Sequence, residues 1–184
     1  MQLWDQEGRY GWVSIALHWL GAAAIVTMFV TGQLFEDLPR GEERLAGLML
    51  HIGLGVLALF ILVPRIVNRL INRKALKQES HTIFDRLAHV VHMVLMLAIL
   101  ALIVSGPLAV LSNGNPVNVL DLFQIPALLP RMETVHEIAG EVHEAAVPVL
   151  VFSVVLHVLG AVKRMVFDRD GTMRRMLVAG SVRH

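Results

Sequence analysis

Four predominantly apolar runs, each long enough to cross a lipid bilayer, constrain this chain more than any other feature. About 20 helical residues cross a hydrocarbon core. The runs extend from about Val13 to Leu34, Leu45 to Val67, Phe84 to Leu111 and Val142 to Phe167. Backbone groups in lipid find no water, so such runs fold as helices. The expectation is an all-α, four-transmembrane-helix bundle forming one domain over residues 1–184. A charged fraction of only 17% agrees, because a chain of this size in water needs more polar surface. Ser105-Gly106-Pro107 predicts a kink in the third span. No cleavable signal peptide is expected: the first residues are polar and the apolar run after them is too long.

The basic residues set the orientation. Of the 16 lysines and arginines, only Arg40, Arg44 and Arg131 fall in the first and third loops, among more acids. Arg65, Arg69, Arg73, Lys74, Lys77 and Arg86 flank the second loop. The tail carries Lys163, Arg164, Arg169, Arg174, Arg175 and Arg183. The positive-inside rule makes both termini cytoplasmic and turns the first and third loops outward. Trp4, Trp12, Trp19 and Tyr10 suit an interface anchor. The apolar stretch Val117–Pro126 in the third loop is too short to span and is expected to cap the outer surface. No internal repeat stands out, and nothing suggests a nucleic-acid partner.

Nine histidines and no cysteine decide the chemistry. Without cysteine there is no disulfide, iron–sulfur cluster or covalently attached haem. His18, His51, His89, His92, His143 and His157 all fall within spans, where an ionisable residue is costly and faces the bundle interior. His143 and His157 are fourteen residues apart on the fourth span. That is about 21 Å of rise and about 40° short of four turns, so both lie on one stripe near opposite membrane faces. His51, entering from outside, matches His143 in depth. His18, entering from inside, matches His157. The pairs His51/His143 and His18/His157 follow from topology and rise, and they are the arrangement needed to hold two haems, one at each depth. The inner pairing stays open to His89 or His92 in place of His18, and zinc is a weaker reading because no tight ligand cluster appears. His136 lies about 10 Å further out than His143 by helical rise, and His81 and His184 sit in polar segments; none of the three is taken as a ligand.

These residues resemble the bacterial cytochrome b561 family over nearly the whole chain. The resemblance rests on Ser14-Ile15-Ala16-Leu17-His18-Trp19-Leu20, on His51-Ile52-Gly53 followed by Arg65 and Arg69, and on Leu87-Ala88-His89-Val90-Val91-His92. Gly114-Asn115-Pro116, His143-Glu144, Leu156-His157, and Asp170 with Arg175-Met176-Leu177 complete it. It implies a multi-pass protein of the bacterial inner membrane with two b haems whose axial ligands are His18, His51, His143 and His157. It also implies ubiquinone chemistry, with superoxide as one possible electron donor. The chain departs from the family at Arg164, where a second histidine is common, and at Trp12, where a basic residue is common.

Three functions remain in view. The first is an oxidoreductase exchanging electrons between ubiquinone or ubiquinol and a small one-electron partner such as superoxide. The second is a non-catalytic electron-transfer subunit whose outer loop docks a dehydrogenase or other redox protein. The third is a haem-free, histidine-bearing transporter. The excess of acids in the outer loops argues mildly against an anionic substrate arriving there. Arg65, Arg69 and Arg164 are candidate partners of haem propionates, with positive-inside anchoring as the alternative. His89 and His92, at i and i+3, are candidates for a quinone site near the inner haem, with interhelical bonding as the alternative.

Overall fold

The computed structural model describes residues 2–72 and 82–181. The basic residues Arg73, Lys74, Lys77 and Arg183, together with His81 and His184, lie outside the described residues. Four long helices carry the apolar runs: α1 (Trp12–Glu36), α2 (Glu42–Ile71), α3 (Ile83–Leu111) and α4 (Glu133–Lys163). A π-helical turn, Arg164–Asp168, extends α4, and a single turn, α5 (Thr172–Arg175), follows. All four long helices are of membrane-crossing length and apolarity, and no more than 22% of any one's apolar window is buried within the chain. Lipid is the solvent that suits what is left uncovered, such as Phe60 and Phe152.

Helix ends carry the expected chemistry. Glu42 and Glu43 open α2 and Arg69 lies in its last turn; Glu133 opens α4 and Lys163 closes it. Each charge opposes the helix dipole at its end. A reciprocal capping box starts α3: the Asp85 backbone N–H donates to Thr82 Oγ1 at 3.2 Å, and the Thr82 N–H donates to Asp85 Oδ2 at 3.1 Å. Pro64, Pro107 and Pro148 lie inside helices, and α3 runs unbroken past Pro107.

Two departures from the sequence reading concern the third connection. Helix α4 begins at Glu133, ahead of the apolar run near Val142, because Glu133, His136, Glu137 and Glu141 give its first turns a polar face that hydropathy does not register. The stretch 117–126 is a β-hairpin, β1 (Val117–Val119) antiparallel to β2 (Phe123–Ile125), with Val119 opposite Phe123. Leu120 and Asp121 turn it with positive φ, and Asn118 and Asp121 bond each other across the turn. Val119 is fully buried, and Leu120 fills the space that a side chain at Gly53 of α2 would occupy.

The chain divides into two compact units, and each long helix contributes to both. One unit draws on Met1–Leu20, Pro64–Ala98 and Pro148–His184; the other comprises Gly21–Val63 and Ile99–Val147. In the first, the ends of the described chain fold onto each other. Trp19 Nε1 donates to the Met176 carbonyl at 2.8 Å, Gly180 N–H donates to the Tyr10 carbonyl at 3.0 Å, and the Arg175 guanidinium stacks over the Tyr10 ring. The second unit holds the hairpin.

Candidate functional site

Each unit contains one facing pair of histidines from different helices. In the unit with the hairpin, His51 of α2 faces His143 of α4 with ring centroids 6.5 Å apart. The hydroxyl of Thr31, on α1, is 3.1 Å from His51 Nδ1; that of Ser105, on α3, is 3.2 Å from His143 Nδ1. With both Nδ1 atoms engaged, Nε2 is the nitrogen left to each ring. Phe35 packs 5.5 Å from His51. His136 is not part of this pair: its Nδ1 donates to the Ala109 carbonyl at 2.7 Å.

In the other unit, His18 of α1 faces His157 of α4 with centroids 6.2 Å apart. Trp19 packs edge-on to His18 at 5.3 Å. His92 of α3 stands edge-on to His157 at 4.9 Å, and its Nδ1 donates to the Ala88 carbonyl. His89 is exposed on the same helix. Arg65 of α2 donates to the His18 carbonyl at 3.4 Å and lies 3.4 Å from its Nδ1. Among the described residues no carboxylate pairs with Arg65. Arg164, by contrast, lies 2.7 Å from Asp85 and 3.6 Å from Asp170, and Arg69 is exposed. One turn away from the His18–Arg65 contact, Asn68 donates to Ser14, and Ser14 donates to Asp5, each at 2.6 Å.

The sequence reading named all four facing histidines and missed Thr31 and Ser105. Hydroxyl residues are ordinary in membrane helices, where they bond back to their own backbone. Only the fold shows that these two reach imidazoles on neighbouring helices.

Comparison with known proteins decides the family. The model of the prokaryotic cytochrome b561 family matches residues 9–178. The chain belongs to that family. Cytochrome b561 homolog 2 of Escherichia coli (strain K12) is 32% identical over 180 residues, spanning 96% of this chain and 95% of the relative. As a family member the chain is an integral membrane cytochrome that carries electrons on b-type haem.

The donor set fits that group. A metal–imidazole bond is about 2.0 Å and a ring nitrogen lies about 1.1 Å from the ring centre, so two imidazoles on one iron hold their centroids about 6 Å apart. The separations of 6.2 and 6.5 Å meet this requirement. The 4.9 Å between His92 and His157 is direct ring contact, too short for an iron between them. Glycines leave room at one pair: a Cβ at Gly32 would lie 3.3 Å from His51 Cε1, and one at Gly106 would lie 3.0 Å from His143 Cε1. Among the described residues, no group of three or more His, Asp or Glu converges as a bare metal ion would require.

Proposed function

We propose that the chain is a di-haem cytochrome in which His51 and His143 hold one b haem and His18 and His157 hold the other. The observation that carries this reading is the pair of centroid separations, each of the size an intervening iron sets. A haem with two axial imidazoles moves single electrons and leaves no site for O₂ on the iron. The protein's own part is to bind, orient and screen. Thr31 and Ser105 hold the His51 and His143 rings in place. Trp19 packs against His18, and Arg65, whose contacts with His18 are long and which meets no carboxylate among the described residues, has the chemistry to hold a haem propionate. Arg69 is a second propionate candidate, whereas Arg164 already meets two carboxylates.

In this reading the electrons pass between ubiquinone or ubiquinol and a small one-electron partner, superoxide among them. The termini are cytoplasmic in a bacterial inner membrane. His92 supplies the quinone contact: its Nδ1 bonds Ala88, which leaves the opposite side of the ring to meet a quinone carbonyl, with His89 three residues away on the helix. On the first and third loops Arg44 bonds the Glu36 and Leu38 carbonyls and Arg131 pairs with Glu133. Arg44 keeps its charge unopposed by a carboxylate in those contacts, a feature compatible with an anionic donor.

The test counts acid-extractable haem per chain and then removes ligands. Two haems are expected. His51→Ala and His143→Ala should each lose one haem, and His18→Ala and His157→Ala the other. One haem per unaltered chain, or His92→Ala removing the haem that His18→Ala spares, sinks the assignment. Quinone turnover by the purified protein with superoxide separates an enzyme from a subunit that needs a docked redox protein.

A further inference from the structure

No repeat stands out in the sequence, yet the two segments that hold His51 and His143 correspond position by position. On α1 it reads Met28-Phe29-Val30-Thr31-Gly32; on α3 it reads Leu102-Ile103-Val104-Ser105-Gly106. His51 meets the Thr31 hydroxyl through Nδ1. His143 meets the Ser105 hydroxyl through Nδ1. Each ring therefore finds a hydroxyl on the neighbouring helix. The glycine after each hydroxyl lies against the Cε1 of the same ring, at 3.3 Å for Gly32 and 3.0 Å for Gly106, measured to the Cβ each lacks.

The proton positions follow. Thr31 Oγ1 donates its single hydrogen to a carbonyl of its own helix, that of Thr27 at 2.9 Å or of Met28 at 3.2 Å. The oxygen must then accept from His51 Nδ1–H. His51 is thus held with the proton on Nδ1 and the Nε2 lone pair bare, the form a metal takes, and the Ser105 hydroxyl is placed to hold His143 in the same way.

The match extends along the helices. At one constant offset α1 and α3 pair His18 with His92, Ile25 with Ile99, Thr31 with Ser105, Gly32 with Gly106 and Leu34 with Leu108. At another, α2 and α4 pair His51 with His143, Phe60 with Phe152 and Val63 with Val155, and they set Arg65 against His157. Contacts follow the same register: Arg65 meets His18 as His157 meets His92.

We propose that Thr31-Gly32 and Ser105-Gly106 are equivalent positioning steps in a repeated helix pair. They lock the His51 and His143 imidazoles in rotation and tautomer, so that Nε2 is presented to iron. The iron itself rests on the di-haem reading above. The His18/His157 site lacks this symmetry, because the repeat places arginine where its partner half has a ligand.

The test is a redox titration of the purified haem-loaded protein, followed optically and by EPR. Thr31→Val and Ser105→Val should keep two haems, raise the midpoint potential of one and shift its low-spin signal. That haem should be the one His51→Ala removes, and the other should not move. A ligand imidazole that has lost its Nδ1–H acceptor is a poorer donor to ferric iron, which sets the sign. The reciprocal exchange Thr31→Ser/Ser105→Thr should leave both haems as they were, and it serves where a valine variant does not fold. Two haems with unchanged signals in both valine variants would overturn the positioning role and leave the di-haem reading standing. So would a shift confined to the haem that His18→Ala removes, or a shift in the reciprocal exchange. Fewer than two haems in the unaltered protein overturns the di-haem reading instead.

Discussion

At the scale of residues, Arg65 is a charge with little support. It sits on α2 among apolar residues, half-buried, and its two bonds to His18 are long. An intramembrane arginine normally has a partner. A cation beside an iron favours the ferrous form, because reduction lowers the local positive charge. Arg65→Gln should therefore lower the midpoint of the His18/His157 haem, by on the order of 1–2 kcal/mol in the reduction equilibrium, and leave the other haem alone. Arg65→Lys should recover part of the shift. A redox titration that shows both midpoints unchanged would return Arg65 to simple membrane anchoring. The four facing histidines were legible because helical rise and topology fix depth without any knowledge of packing. The Arg164 contacts were not: the sequence offers a basic residue near a span end, and only the fold brings Asp85 and Asp170 to it.

At the scale of elements, Asp85 does two jobs at the start of α3. It caps the helix with Thr82 and pairs with Arg164 across to the end of α4. The pair is largely shielded, with side-chain exposures of 11% and 13%. Asp85→Ala should cost roughly 1–3 kcal/mol, from the lost cap and the loosened pair. The expected result is a lower thermal midpoint with the haem count unchanged. Loss of one haem at normal stability would instead place Asp85 in haem binding. Element identity was legible where apolar runs were long, and lost where they were not. The hairpin strands are three residues each, too short for alternation to show. The early turns of α4 are polar on the side away from the bundle and carried no hydropathy signal.

At the scale of the whole molecule, charge placement proposes an orientation, and because the chain has no cysteine it is simple to check. Single reporters Glu7→Cys and Asn115→Cys should behave oppositely towards a membrane-impermeant maleimide in intact cells, Asn115→Cys reacting and Glu7→Cys protected. The reverse pattern inverts the orientation. A different constraint arises from α4, the one helix that supplies a histidine to both facing pairs. An α-helix couples rotation to advance, at about 100° and 1.5 Å per residue. Inserting one alanine between Val149 and Leu150 should turn one histidine away from its partner and abolish one haem, while an alanine added between Leu128 and Leu129 should be tolerated. An insertion long enough to restore the facing direction would displace the histidine along the axis by at least a turn. In descent, then, the stretch from His143 to His157 is free to change its letters but not its length, and gaps among related chains should gather in the connections on either side of it.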